Sequence, residues 1–171
     1  MKTTFKAITI EQGSDKLFSV SVKEKFVNDL PDGDLLIRVN YSSLNYKDAL
    51  SSSGNAGVTK KYPHTPGIDA VGFIESTKSE KFKIGQEVIV SGYDLGMNTP
   101  GGFGEYIRVP RSWACHLPKN LTAIESMAIG TAGLTAGLCI KKLKKLNGIN
   151  GKNAVVTGAT GGVGSFAIKL L

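Results

Sequence analysis

The feature that most constrains the fold is a run of glycines near the end of the chain, between an apolar segment and an apolar helix pattern. The apolar segment, Ala154 to Thr157, is typical of a short buried strand. After the glycines, apolar residues recur in GVGSFAIKLL at the spacing of one helix face, so we expect a helix from Gly162 to Leu171. The glycines of the run that opens this helix are Gly158, Gly161, Gly162 and Gly164.

A strand, a glycine turn and a helix in this order are typical of a dinucleotide-binding unit. Glycines permit a tight turn and a close approach of the backbone to a pyrophosphate, and the helix N-terminus attracts the phosphates. The run lacks the Gly-Lys-Ser/Thr of a Walker A loop and the G-x-S-x-G of a nucleophile elbow. The alternative is a tight turn that binds nothing. The residue that would select NAD or NADP is expected about 20 positions further on, past Leu171.

One strand and one helix cannot complete a parallel sheet, because both faces of such a sheet must be covered and its strands need neighbours. The helix pattern also reaches Leu171 with no glycine cap or proline stop. We therefore expect that the chain is part of a longer protein.

Charge is distributed unevenly. The net charge is +7, yet residues 126–171 contain six lysines and no acidic residue, while residues 1–125 are almost balanced. Four of these lysines lie within a helix pattern at 141–145, where a solvated face is the simple interpretation and a phosphate-binding surface the alternative. No aromatic residues are interleaved with them, which argues against a nucleic-acid partner.

Composition predicts a protein without disulfides or a membrane span. The two cysteines, Cys115 and Cys139, make neither a disulfide framework nor a zinc cluster. The longest weakly polar stretch, 128–140, is shorter than the ~20 residues that a membrane span needs. The N-terminus has no apolar segment typical of a secretory signal. We expect a cytoplasmic protein.

Up to residue 121 the pattern is that of short strands. A hairpin is predicted from 5–10 and 17–22, followed by strands at 35–41, 69–76, 86–90 and 105–109, with a short helical piece at 46–50. Such strands favour a β-barrel-like module. At Thr122 the pattern becomes helical, and Thr122 with Glu125 forms a capping-box signature. We predict domains 1–121 and 122–171, with a helix to Leu146 that breaks near Gly130 and Gly133.

Five segments occur in an order that points to a known family: SSLNYKDAL, PGIDAVGFI, GGFGEYIRVP, IGTAGLTAGLC and VVTGATGGVGS. Together they resemble the zinc-lacking quinone-oxidoreductase branch of the medium-chain dehydrogenase/reductase family, and within it the acryloyl-CoA reductases. The resemblance implies an α/β protein, in which a β-rich GroES-like barrel domain precedes the first βα unit of a truncated Rossmann domain. It also implies NADPH as cofactor and a homodimer, with no membrane or nucleic-acid partner.

The resemblance also implies a reaction without zinc. Zinc-dependent relatives carry a Cys where this chain has Asn45 and a His where it has Ile68, and neither Asn nor Ile supplies the thiolate or imidazole that catalytic zinc prefers. The expected chemistry is hydride addition to an activated C=C bond of an enone or acryloyl-CoA, or to a quinone. The alternative is a non-enzymatic binding or oligomerisation module. The 171-residue chain by itself is expected to be inactive.

Site residues follow from the same resemblance. Tyr46 is expected beside the nicotinamide, positioning cofactor or substrate, and Asn45 is expected to donate an amide N–H to the substrate carbonyl. Asp48 is interpreted as structural, capping a helix or pairing with Lys47 or Arg38; for Asp69, a structural and a site role stay open. The expected cofactor contacts, besides Tyr46 and the turn residue Gly158, are Thr131, Thr160, Gly161, Gly162 and Val163, with Thr131 alternatively serving helix packing.

Overall fold

The computed structural model describes residues 3–171. Ten helices and strands follow one another: β1 (Thr4–Gln12), β2 (Phe18–Phe26), β3 (Leu35–Ser42), α1 (Tyr46–Ser52), β4 (Asp69–Thr77), β5 (Glu87–Ser91), β6 (Tyr106–Val109), β7 (Ala114–His116), α2 (Ala123–Lys145) and α3 (Gly162–Leu170). Single 3₁₀ turns lie at Val27–Asp29 and Arg111–Trp113. The chain divides into two compact units, 1–128 and 129–171. The domain boundary expected after residue 121 stays a prediction.

The strands of the first unit form two antiparallel sheets. β1 and β2 pair along their whole length, with Ile8 opposite Val22, as the alternating pattern predicts. The second sheet has five strands in the order β6-β3-β4-β5-β7. β7 was not predicted from the sequence, because three residues are too few to show an alternating pattern.

The expected barrel is not closed. Among the described residues no ladder joins the two sheets: β1 forms single bridges to two loop residues, from Ala7 to Gly104 and from Ile10 to His64. Closure would require the edge strands to pair in staggered register, and β6 and β7 end the five-stranded sheet without doing so. The first unit is therefore β-rich, with two open sheets.

The inward-facing residues of the five-stranded sheet form the main hydrophobic core of the first unit. Leu35, Val88, Ile107 and Val109 are completely buried there. A smaller cluster lies under the hairpin and consists of Phe5, Ala7, Val27 and Leu30. Strand alternation places these side chains on one face, which is why the sequence pattern was sufficient to predict most of the strands.

The strand predicted at 154–157 is absent. This segment has no strand hydrogen bonds, and the Val155 side chain is 93% exposed. A β-strand is defined by a hydrogen-bonded neighbour, and none of the described residues pairs with this segment. The α3 helix, by contrast, forms as predicted, because its hydrogen bonds are internal to the segment.

Helix α2 carries the predicted break. Gly130 has φ 49° and ψ −161°, outside the helical region, and so divides α2 in two, whereas Gly133 stays helical. At its start, Thr122 N and Oγ1 donate to Glu125 Oε2, at 2.9 and 2.7 Å, and Thr122 Oγ1 accepts from Glu125 N, which confirms the capping box. The four lysines at its end are exposed, as a solvated face requires.

Among residues 3–171, α2 is the one helix whose length and composition would allow it to cross a membrane. The sequence predicted no such helix, because the uninterrupted weakly polar stretch is short. Core helices of globular proteins meet the same criterion. The break at Gly130 also leaves neither part of α2 with the ~20 residues that a span requires.

Buried His64 provides a test of how this fold responds to acid. The ring is 4% exposed and its Nε2 lies 2.9 Å from the Gly96 carbonyl oxygen. Burial lowers the pKa of His64 and nearby Lys25 adds to this, while the Gly96 carbonyl and Asp94 oppose it. Because the pKa of His64 is lower in the folded than in the unfolded protein, its contribution to the free energy of unfolding is complete above the unfolded pKa of about 6.5. This contribution is lost as the pH falls through the pKa of the folded state.

We therefore expect the His64→Gln variant to differ from the wild type in a pH-dependent way. At pH 8 the variant should have a lower free energy of unfolding than the wild type. This difference should shrink as the pH falls below about 6.5, because the wild type must then charge a buried ring, whereas glutamine cannot titrate. Urea unfolding at a series of pH values measures this deficit, with exposed His116→Gln as the matched control. A deficit that is constant with pH would contradict the expectation.

Candidate functional site

The first group of predicted site residues lies where β3 leads into α1. Asn45 has an extended backbone (φ −127°, ψ 153°) and precedes the helix that begins at Tyr46. The side chains of Leu44 and Tyr46 are 89% and 80% exposed, whereas Asn45 between them is partly buried. An exposed leucine and tyrosine on either side of a polar residue make an amphipathic surface that can accept a ligand with both apolar and polar parts.

Asp48 holds this turn in place. Its carboxylate is 3% exposed and accepts a hydrogen bond from Asn45 N at 2.8 Å. Its other oxygen accepts from Gly67 N at 3.1 Å and from Ile68 N at 3.0 Å. Burial raises the pKa of Asp48, and these hydrogen bonds act in the opposite direction.

The prediction that Asp48 is a structural residue that caps a helix is confirmed. Within residues 3–171, Asp48 forms no ion pair with Lys47 or Arg38, and Arg38 lies 3.5 Å from Glu75. Asp48 thus joins the start of α1 to the residues that precede β4.

Asp69 is the partner of Asn45. It is completely buried at the start of β4, and its Oδ2 accepts from Asn45 Nδ2 at 2.9 Å. Its Oδ1 accepts a short hydrogen bond from Ser91 Oγ. The Asn45 side chain is thus held by two carboxylates, since it also hydrogen-bonds to Asp48.

The sequence did not reveal this contact, because the two residues are 24 positions apart and belong to different elements. The available signal was the acidic residue directly after Gly67 and Ile68, at the start of a predicted apolar strand. A carboxylate at such a position needs a buried partner.

No group of three or more His, Cys, Asp or Glu side chains that could hold a metal ion occurs within residues 3–171. Ile68 is buried next to Asp69 and presents no donor atom. His64 is engaged with the Gly96 carbonyl, and His116 packs against the Phe82 ring at 4.8 Å between centroids.

The second group of predicted residues lies in the 129–171 unit, at the glycine turn. Gly158 has φ 62°, and its carbonyl oxygen accepts from Gly161 N at 3.0 Å. Gly161 then precedes α3 in an extended conformation, and no described side chain caps the helix. The first N–H groups of α3 are thus available to an anion, which is the property required of a phosphate-binding turn.

Close packing within the turn depends on Gly164. A Cβ atom built at Gly164 would lie 2.1 Å from the Gly158 carbonyl oxygen, whereas one at Gly161 would be 3.4 Å from it. Thr160 is exposed and Val163 is 42% exposed, so both are accessible.

Thr131 follows the break in α2, in the same unit as the turn. Its carbonyl oxygen accepts from Thr135 Oγ1 at 2.7 Å. The neighbouring residue Ala132 lies beside the turn, since a Cβ at Gly162 would be 3.1 Å from the Ala132 Cβ. The fold thus brings the Thr131 segment next to Gly162 within the second unit. Asn45 and Tyr46 belong to the first unit.

Known proteins that are similar to this chain identify its family. The alcohol dehydrogenase GroES-like domain family matches residues 31–119. The Bacillus subtilis protein YhfP, which carries the name quinone oxidoreductase, is 42% identical over 100% of this chain and 52% of its own. The Ruegeria pomeroyi acrylyl-CoA reductase AcuI is 37% identical over 81% of this chain and 42% of its own.

A solved structure is also similar. The yhdH oxidoreductase from Salmonella enterica, crystallised in complex with NADP, has a TM-score of 0.91 and 41% identity, covering 96% of this chain and 51% of that one. The chain spans about half the length of the curated relatives it matches. These similarities confirm the resemblance and the fold class predicted from the sequence. The chain belongs to the alcohol dehydrogenase GroES-like domain family and is related there to quinone oxidoreductases and acrylyl-CoA reductases.

Proposed function

We propose that the complete protein is an NADPH-dependent oxidoreductase that reduces an activated C=C bond or a quinone by hydride transfer. The observation that carries the proposal is the glycine turn at 158–164, which leaves the N-terminus of α3 uncapped for a pyrophosphate. The names of the relatives support a reductase of this class. The NADP bound to the Salmonella relative supports the choice of cofactor.

The glycine turn would hold the cofactor phosphates through the N–H groups at the start of α3, with Gly158 providing the sharp turn and Gly161, Gly162 and Val163 the contact surface. Thr160 is exposed beside them and would offer a hydroxyl. Thr131, in the segment next to Gly162, would approach the nicotinamide. NADPH supplies the hydride when bound.

Asn45 and Tyr46 would act on the substrate side. Hydride addition to the β-carbon of an enone or acryloyl-CoA places negative charge on the carbonyl oxygen, and a fixed hydrogen-bond donor lowers that barrier. The Asn45 amide would be this donor, in exchange for one of the contacts that it makes with the carboxylates of Asp69 and Asp48. The exposed phenol of Tyr46 would position the cofactor or the substrate beside it.

We propose that this reaction needs no metal. Asn45 and Ile68 occupy the positions at which zinc-dependent relatives carry Cys and His, and the observed partners of Asn45 are Asp69 and Asp48. An amide and an aliphatic side chain are poor zinc ligands. We further propose that the complete protein is a cytoplasmic homodimer acting on a small molecule.

The direct test is turnover by the protein expressed from its complete gene. After treatment with a chelator, it should consume NADPH with acryloyl-CoA, a small enone or a quinone, and should do so much more slowly with a simple aldehyde, which requires carbonyl polarisation. Equal rates with the aldehyde, or activity only after zinc is added, would contradict the proposal.

Tyr46→Phe tests the position of the phenol. We expect kcat/KM for NADPH-dependent reduction to fall about 10-fold, the effect of losing one hydrogen bond of ~1.4 kcal/mol at the reacting groups. Tyr41→Phe makes the same change on a neighbouring exposed tyrosine in β3 and should have little effect. Wild-type kinetics for Tyr46→Phe would remove its hydroxyl from the site.

A further inference from the structure

We propose that Lys25 is a site of covalent acylation, at which a small acyl thioester transfers its acyl group to the side-chain amine. The inference goes beyond the proposed function and does not depend on it. The site is a pocket of about 260 Å³ in the first unit, between the open end of the β1–β2 hairpin, the segment that precedes β4, and β6. We refer to it as the Lys25 pocket, and its lining includes Phe5, Lys25, Leu30, Pro63, Thr65 and Tyr106.

Strand pairing turns the Lys25 side chain toward this pocket. Lys25 stands directly opposite Phe5 in the antiparallel β1–β2 pair, and residues paired in this way project from the same face. Phe5 is 4% exposed and belongs to the hydrophobic cluster under the hairpin. The methylene groups of Lys25 therefore lie along an apolar wall, while the amine at their end reaches the polar part of the pocket.

The Lys25 amine is held by a hydroxyl group and not by a carboxylate. Its Nζ donates to Thr65 Oγ1 at 2.9 Å, and Thr65 is 2% exposed. Thr65 is fixed in turn, because its main-chain oxygen accepts from Gly101 N at 2.8 Å. Within residues 3–171 no carboxylate lies within ion-pair distance of Lys25, whereas Lys23 Nζ on the same strand lies 2.6 Å from Glu11 Oε2. The two lysines thus differ in environment although they are close in the chain.

These surroundings favour the neutral, nucleophilic form of the Lys25 amine. Burial lowers the pKa of Lys25 and the charge of Lys23 acts in the same direction, while Glu11 opposes both. The titratable groups around the amine, from all elements of the pocket, are Glu11, Lys23, Asp29, His64 and Tyr106. A larger fraction of this amine is therefore unprotonated near neutral pH than in an exposed lysine, and the unprotonated form is the one that attacks a carbonyl carbon.

Acyl transfer to this amine needs no further reagent. The Nζ lone pair forms a bond to the thioester carbonyl carbon, the C–S bond breaks, and the thiolate leaves with the electron pair of that bond. The proton lost from Nζ goes through solvent to the thiolate, so the products are an amide and a free thiol. The amide is neutral, and acylation therefore removes the cost of keeping an ammonium group in a half-buried site. The apolar walls formed by Phe5, Leu30 and Pro63 suit a short acyl chain.

The test is site-resolved acetylation of the protein expressed from its complete gene. The protein is incubated with acetyl-CoA at pH 8, and peptide mass spectrometry measures the initial rates at Lys25 and Lys23. We expect Lys25 to react about fivefold faster than Lys23 in the folded protein. In urea the two rates should be equal, because both lysines flank Glu24 and only the fold distinguishes them. An equal or slower rate at Lys25 in the folded protein, or the same preference in urea, would overturn the proposal.

Thr65→Val tests whether the pocket causes the preference. Valine has nearly the shape of threonine but offers no acceptor, so the Lys25 amine should turn to water and toward Glu11, and the ratio of the two rates should fall below about twofold. Thr65→Ser retains the hydroxyl and is the matched control, in which the ratio should not change. Thermal unfolding verifies that both variants are folded. An unchanged ratio in folded Thr65→Val would overturn the role of the pocket.

The pH dependence gives a second readout on the wild type. The acetylation rate at Lys25 should level off at a lower pH in the folded protein than in urea, because folding lowers the pKa of this amine. A rate that levels off at the same pH in both states would contradict the proposal. None of these measurements uses NADPH, so failure of the proposed function and failure of this inference are distinguishable.

Discussion

The Gly164→Ala variant is expected to lose most of its affinity for NADPH. The added Cβ would lie 2.1 Å from the Gly158 carbonyl oxygen, 2.7 Å from the Gly158 carbonyl carbon and 2.9 Å from the Ala159 Cα. All three atoms belong to the backbone, so the turn itself must move. We expect stability to fall by about 2 kcal/mol from overpacking and NADPH affinity to fall about 30-fold.

Gly137→Ala is the matched control for this change. Gly137 lies inside α2 and its Cβ would meet no atom within 4 Å, so the same substitution should leave NADPH affinity unchanged and stabilise the helix by up to ~1 kcal/mol. Thermal unfolding and a fluorescence titration with NADPH measure both quantities. Wild-type NADPH affinity in Gly164→Ala would show that the turn at 158–164 does not bind the cofactor.

Asp48→Ala is expected to be the most destabilising change in the first unit. It removes the acceptor of three backbone N–H groups, those of Asn45, Gly67 and Ile68, at a position that is only 3% exposed. We expect the free energy of unfolding to fall by about 3 kcal/mol, since each buried unpaired donor costs ~1–3 kcal/mol and part of the site can relax.

Asp48→Asn should recover part of this loss. The asparagine oxygen can still accept from Gly67 N and Ile68 N, whereas its NH₂ group cannot accept from Asn45 N. Replacing exposed Asp32 by Ala provides the control and should change stability by less than about 0.5 kcal/mol. If urea unfolding shows Asp48→Ala to be as stable as Asp32→Ala, Asp48 does not hold the turn.

Local features of the fold could be predicted from the sequence, because the interactions that cause them are close in the chain. The β1–β2 hairpin follows from alternating apolar residues, and the start of α2 from Thr122 and Glu125. The apolar segment at 154–157 shows the limit of prediction from the local sequence. Its residues favour a strand, but a strand forms only against a partner, and none is present among the described residues.

Only part of the candidate site was predicted, because short motifs can be recognised in the sequence whereas contacts between distant residues cannot. Asn45 and Tyr46 stand out in a short motif, and the glycines of the turn do so in another. The pairing of Asn45 with Asp69, and of Asp69 with Ser91, depends on the order of strands in the sheet. That order cannot be deduced from residue patterns within single strands. The roles of these residues and the contacts of the cofactor stay predictions.

The measurement that tests the central claim most directly follows a labelled hydride. The protein from the complete gene, freed of metal by a chelator, is given acryloyl-CoA and NADPH that carries deuterium at the transferring position of the nicotinamide. The account predicts propionyl-CoA with one deuterium at the β-carbon, formed in step with NADPH consumption. Deuterium recovered in water or at the α-carbon, or no product without added metal, would contradict metal-free hydride transfer to an activated C=C bond.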